Sequence, residues 1–182
     1  MKNLLLFVLP LLLFSCKPGV ESHRKAIEEL GTNWDGATKS VIGFSEGLTA
    51  DMTKYTEAAA SMMLDSVATS KLKGDAATQW AAATTAYKAA TTDAYAPAQA
   101  ELNDFVTMWT EKSSAVTALK DGLAAGKIEG DVVAQIAELS GLVTQANEKV
   151  AAWTGKKTEL STAADAALEG LKKAYEMVAP KK

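Results

Sequence analysis

The chain has 182 residues, 48% of them hydrophobic and 23% charged, with a formal net charge of −3, four Pro, one His and one Cys. That composition suits one globular domain and excludes a disordered chain, a collagen and a disulfide scaffold. Alanine supplies 34 residues and threonine 18 while aromatics make up 7%, so the expected fold is all-α. Acids outnumber bases and Arg24 is the one Arg, which leaves no electrostatic footprint for nucleic acid.

The first sixteen residues, MKNLLLFVLPLLLFSC, put Lys2 ahead of an apolar run from Leu4 to Phe14. Such a run has the length of a signal-peptide core and is too short to span a bilayer comfortably. An uncleaved anchor with an incidental cysteine, or an ordinary signal peptide cut near Ser15, also fits that much. A lone Cys in an exported chain forms no internal disulfide, and Cys16 has no His nearby to make it a nucleophile, which leaves lipidation as its economical role. Leu13-Phe14-Ser15-Cys16 resembles the lipobox of bacterial lipoproteins, and the resemblance covers the targeting segment alone. It implies that residues 1–15 are removed as signal peptide, that the Cys16 thiol takes diacylglycerol and that its new amino group takes an acyl chain such as palmitate. Two or three acyl chains anchor stably where one binds marginally. Lys17 stands where the retention signal of enteric lipoproteins has Asp, so the resemblance implies the outer membrane rather than the inner.

Residues 16–20 make a short breaker-rich tether, and the bundle is expected over 21–178. Helix one reads from about 21 to 70, with Ile27, Leu30, Trp34, Ala37, Val41, Phe44 and Leu48 spaced three and four apart and Met52, Tyr55, Ala59 and Met62 continuing after one extra residue. Gly31, Gly36, Gly43 and Gly47 each cost such a helix up to about 1 kcal/mol relative to Ala. Gly74 is placed to take a left-handed turn and Asp75 to cap the next helix. Helix two reads from about 76 to 124. Its seam of Ala76, Trp80, Ala83, Tyr87, Ala90 and Ala94 changes phase at Pro97 and resumes at Ala98, Leu102, Phe105, Trp109, Val116, Leu119 and Leu123. An interior proline predicts a kink near 93–97, or a full break there.

GKIEG, residues 126–130, is the second turn, and a proline at Lys127 is expected to be mild. Asp131 is placed to cap helix three, about 131 to 178, whose seam from Val132 to Val178 only Lys157 interrupts. Residues 179–182 form a basic tail. Three helices of similar length joined by short turns predict an elongated antiparallel three-helix coiled-coil bundle, spectrin-repeat-like in layout, with a four-helix bundle broken at Pro97 as the alternative.

No catalytic constellation, cofactor motif or metal-ligand set is read from the sequence. His23 lacks a second His or a thiol, carboxylate pairs such as Glu28/Glu29 and Glu101/Asp104 carry no Glu-x-x-His, and GLAAGKIEG lacks the Gly-Lys-Ser/Thr ending of a phosphate loop. An enzyme is not expected. The four Trp fall on or near the seams and read as core anchors. Thr84-Thr85 and Thr91-Thr92, with Ala81, Ala82 and Ala89, read as an uncharged face opposite the seam, suited to a partner or to self-association. Lys157 either snorkels outward or pairs with an acid such as Asp51 or Glu111.

The leading functional expectation is a lipid-anchored cell-envelope protein, in the periplasm or facing outward, whose rigid rod serves a protein partner as scaffold, spacer or accessory subunit. A second is a carrier of an apolar ligand, with a kink at Pro97 and Met62, Met63 and Met108 lining a cleft. A third comes from a similarity to murein lipoprotein, which has a lipid site, a helical rod and a terminal Lys joined to peptidoglycan. That similarity implies a peptidoglycan contact through Lys182 and Lys181, although the chain lacks the family's Tyr-Arg-Lys ending, Ala179-Pro180 preceding the two lysines here. A solvated tail complementing the negative end of helix three explains the same lysines.

Overall fold

The computed structural model describes residues 19–179; the signal peptide, Cys16, Lys181 and Lys182 lie outside them. Among the described residues the chain is all-α, without a strand. A 3-10 turn, Val20–His23, leads into α1 (Arg24–Ala60), and a short α2 (Ser66–Lys71) follows. Then α3 (Gly74–Lys88), a π-helical segment (Ala89–Asp93) and α4 (Ala94–Ala124) run on without a gap, and α5 (Val132–Val178) ends the fold. The two longest helices are α1 and α5, with 37 and 47 residues.

The α1 seam is buried from Ile27 to Leu48 and again at Tyr55. Its glycines are tolerated because the stability of a long helix comes mainly from the face it buries. None is required for space: a Cβ at Gly31 or Gly47 would make ordinary contact, at 3.5 Å, with the Lys120 or the Lys157 side chain, and one at Gly36 or Gly43 would meet nothing within 4 Å. The helix expected over 21–70 is interrupted at 61–65. Asp65 is extended and its carboxylate accepts the Ala68 amide at 2.6 Å, so a new N-cap competes with continued helix. Met62, just upstream, turns into the core.

No break falls at Pro97, which sits inside α4. The adjustment lies upstream in the π segment, where the Ala94 amide reaches back to the carbonyl of Ala89. Proline brings no amide and its ring crowds the carbonyl four residues before it, at Asp93. A wider turn ending at that residue makes the room, so the helix absorbs the proline without stopping.

Gly74 has φ +59°, as expected of the turn, but Asp75 lies in the first turn of α3 rather than capping it. Asp131 does cap α5, accepting the Ala134 amide at 3.0 Å, and α5 stops at Ala179, an extended residue preceding Pro180. At the end of α4 the Lys127 amide bonds to the Gly122 carbonyl and the Gly126 amide to Leu123, with Gly126 at φ +68°. These are the two bonds of a Schellman turn. Lys127 is therefore a poor place for proline, contrary to the sequence expectation, because its amide is in use.

Trp34 faces Trp109 and Tyr55 faces Tyr95, so α1 and α4 run in opposite directions. Lys112 meets Glu138 and Glu101 meets Lys149, so α4 and α5 do too. Phe44 meets Trp153 and Lys54 meets Asp165, so α1 and α5 run the same way. All four Trp are buried. Five rings, Trp34, Trp109, Phe105, Trp153 and Phe44, touch in series and tie the three helices together at mid-length. The core runs from Ile27 to Ala174 within the described residues, so residues 17–182 hold what is needed to fold.

Candidate functional site

Helices α1 and α3 both pack on α5 but barely touch each other. Each is held by its packing on α5, and the walls they turn toward the space between them include small side chains, Ala59, Ala60, Thr84 and Thr85. The result is a cleft of about 660 Å³, within the range of about 300–1,000 Å³ typical of small-molecule sites. Met52, Met62 and Met63 contribute thioethers to it, Trp80, Tyr87 and Tyr95 supply aromatic surface, and Leu171 of α5 also lines it. Met63 is 76% exposed, at the open side of the cleft.

The hydroxyls around the cleft are nearly all committed. Tyr87 donates to the carbonyl of Tyr55, Thr91 to that of Tyr87 and Thr84 to that of Trp80. Thr56 donates to the Met52 carbonyl at 2.8 Å, and the Tyr95 hydroxyl pairs with Ser161 at 3.2 Å. Tyr55 bonds to the Ser161 carbonyl and to Asp165. The interior therefore offers a ligand surface with little spare hydrogen-bonding capacity, and a polar group placed there would go unpaired.

Beside the cleft lies a layer of polar side chains. Lys157 pairs with Asp51 at 3.2 Å, each about three-quarters buried, so the inward pairing with Asp51 is the one formed and Glu111 is not its partner. Ser161 donates to Asp51 at 2.7 Å, and Lys54 reaches Asp165 at 2.8 Å. The Lys54 hydrogen bond holds the Asp165 carboxyl below its usual range, and the same bond raises the Lys54 ammonium. Burial, followed by the hydrogen bond to Asp165, pushes the Tyr55 phenol from 10.0 up to about 12.

A raised phenol gives stability that is complete below pH 10.0 and lost as pH climbs toward about 12. Urea midpoints measured across that window should fall, with Tyr55 contributing at most about 1.4 kcal/mol per pH unit. The Tyr55→Phe variant should show a shallower fall; an unchanged slope would mean that Tyr55 ionises as freely in the fold as outside it.

Other residues singled out from the sequence do not converge. His23 ends the 3-10 turn, Glu28 and Glu29 pair with Arg24 and Lys25 on the surface, and Glu101 pairs with Lys149. The described residues contain no group of three or more His, Cys, Asp or Glu placed to hold a metal ion. Met62 and Met63 line the cleft as the carrier reading expects, but Met108 and Pro97 do not. Thr84, Thr85, Thr91 and Thr92 line it too; Thr84, Thr85 and Thr92 are exposed, whereas Thr91 is buried and does not belong to the outward face expected of it. The π segment turns the helix by about one residue, which brings Thr91 and then Tyr95 into the core. Sequence reading missed both. The spacing of Trp80, Tyr87, Tyr95 and Leu102, seven, eight and seven residues, carries the one-residue insertion that would have shown them.

Over the described residues no helix is long and apolar enough to cross a membrane. Comparison with protein-family models, with curated proteins and with solved structures finds no match to this chain.

Proposed function

We propose that this chain is a lipid-anchored protein of the bacterial cell envelope that carries an apolar ligand in the cleft between α1 and α3. The observation behind the binding reading is the pairing of an open apolar cleft with hydroxyls already spent inside the protein, an environment that favours hydrocarbon over polar solutes. The anchor rests on Leu13-Phe14-Ser15-Cys16, and Lys17, in place of the Asp of the retention signal, favours the outer membrane over the inner. Its rod is an elongated three-helix coiled coil of α1, the α3–α4 tract and α5. The alternating directions of neighbouring helices and the seams of three- and four-residue spacing support that reading. At about 1.5 Å per residue α5 alone measures about 70 Å.

Native mass spectrometry of residues 17–182 purified without detergent should reveal a co-purified apolar molecule; a bare mass, with no uptake of a fluorescent hydrophobic probe, would remove the carrier reading. In cells, Cys16→Ala should abolish incorporation of labelled fatty acid, and persistent labelling would remove the anchor.

The scaffold or accessory-subunit reading has one observation in its favour. Ile42 is 50% exposed and borders, with Val106 and Trp109, a smaller cavity of about 320 Å³ between α1 and α4. An apolar spot of this kind suits a protein partner. Crosslinking in intact cells followed by peptide identification tests it, with partner crosslinks expected at that cavity and their absence counting against it.

A further inference from the structure

We propose that the occupant of the cleft is a single-chain anionic amphiphile, its hydrocarbon chain in the cleft and its carboxylate or phosphate on Lys88 at the mouth. This rests on the apolar-ligand reading above and deepens it. Size is the first argument. A cleft of about 660 Å³ accommodates one small molecule, whereas a partner helix, about 10–12 Å across with its side chains, needs a longer trough.

The distribution of polar capacity is the second. The inward hydroxyls are committed to the protein, but Thr85 and Thr92, which also line the cleft, make no hydrogen bond within the described residues. They stand three residues before and four residues after Lys88, spacings that bring all three to one side of the helix. Hydroxyl, ammonium and hydroxyl thus form a row of available donors along one wall, while the rest of the lining has almost none to give. A ligand that matches this division is apolar along most of its length and polar at one end.

Charge decides the sign of that end. Lys88 is the one charged residue lining the cleft, and no acid lines it. Its ammonium rests on Asp93 at 3.0 Å, and the two side chains are 68% and 54% exposed. An ion pair so exposed contributes little, so an anion held in place by a buried chain can take Asp93's position on the ammonium. The anionic end gains a charge-assisted hydrogen bond from Lys88 and neutral ones from Thr85 and Thr92.

The test uses residues 17–182, freed of co-purified material and titrated below the micelle concentration with three probes: a long-chain fatty acid, a lysophosphatidic acid, and a monoacylglycerol of equal chain length. The anionic probes should bind about twofold to fivefold more tightly than the neutral one, the range for a solvent-exposed ion pair. Lys88→Met should erase that preference while retaining the neutral probe, and Asp93→Asn should tighten the anions several-fold. Ala59→Phe, which fills the cleft, should block all three, with circular dichroism confirming that each variant is folded. The tighter of the two anionic probes identifies the headgroup as carboxylate or phosphate. Equal affinity for neutral and anionic probes, or a preference that survives Lys88→Met, overturns the anionic assignment and leaves the apolar-ligand reading standing. Failure of all three probes to bind, or binding undiminished in Ala59→Phe, overturns that reading as well.

Discussion

Trp109→Ala is expected to lower the unfolding free energy of residues 17–182 by about 3–5 kcal/mol, the range for deleting a large buried aromatic. Trp109 is 4% exposed and stacks on Trp34 with ring centroids 3.7 Å apart and planes 9° from parallel. The two indoles are also bonded in a reciprocal pattern. Trp34 donates to Ser113 on α4 and Trp109 donates to Thr38 on α1, while each of those hydroxyls donates back to the carbonyl of the Trp four residues before it. Truncation at Trp109 therefore opens a cavity, strips a stacking partner and leaves one face of Phe105 uncovered. Trp109→Phe keeps much of the area but loses the indole N–H, so its cost should be smaller, and the difference between the two variants separates packing from hydrogen bonding. Urea unfolding followed by circular dichroism measures both; a loss below about 1 kcal/mol for Trp109→Ala would mean that the stack adds little beyond an ordinary surface contact.

The seams of α1 and α5 were legible because each follows one phase for many turns: Ile27 to Leu48 are buried where spacing places them, and so are most of the α5 positions from Leu139 to Ala174, while Val132, Ile136, Val150, Ala167 and Val178 are half-buried and Leu168 is buried beside Ala167. The Asp131 cap and the left-handed Gly74 were legible for a local reason, since both belong to short motifs whose chemistry resides in a few adjacent residues. What escaped was non-local or competing. Asp65 caps α2 in a stretch whose apolar pattern reads on as helix, and pattern alone does not weigh a cap against continuation. Proline drew the phase change to residue 97, whereas the backbone makes its adjustment over 89–93, upstream of the ring it accommodates. That displacement of a few residues explains why Thr91 and Tyr95 were left off the seam and Thr91 was read as part of an outer face. The cleft was half legible: its thioethers were anticipated, but the gap depends on α1 and α3 standing apart, and that distance is set by packing on α5.

Val143→Pro is expected to cost about 3 kcal/mol or more, and Pro97 supplies the contrast. Position 143 lies near the first quarter of α5, is buried at 8% exposure and follows Leu139, itself 2% exposed. A proline there removes the amide that serves the Leu139 carbonyl and presses its ring against that carbonyl, in a place where water cannot reach to compensate. Pro97 creates the same deficit at Asp93, but the π segment has already widened the turn and residue 97 itself is exposed. Helix α5 has no such segment: it is a single α-helix from Val132 to Val178. To accept proline it must bend, and a bend at 143 separates the part that packs on α4 near Glu138 from the part that carries Trp153 and Leu171. Thermal unfolding should therefore begin at a distinctly lower temperature in Val143→Pro, and limited proteolysis should cut near the substitution before the rest of the domain. A melting temperature equal to that of the parent chain would show that α5 tolerates a hinge there.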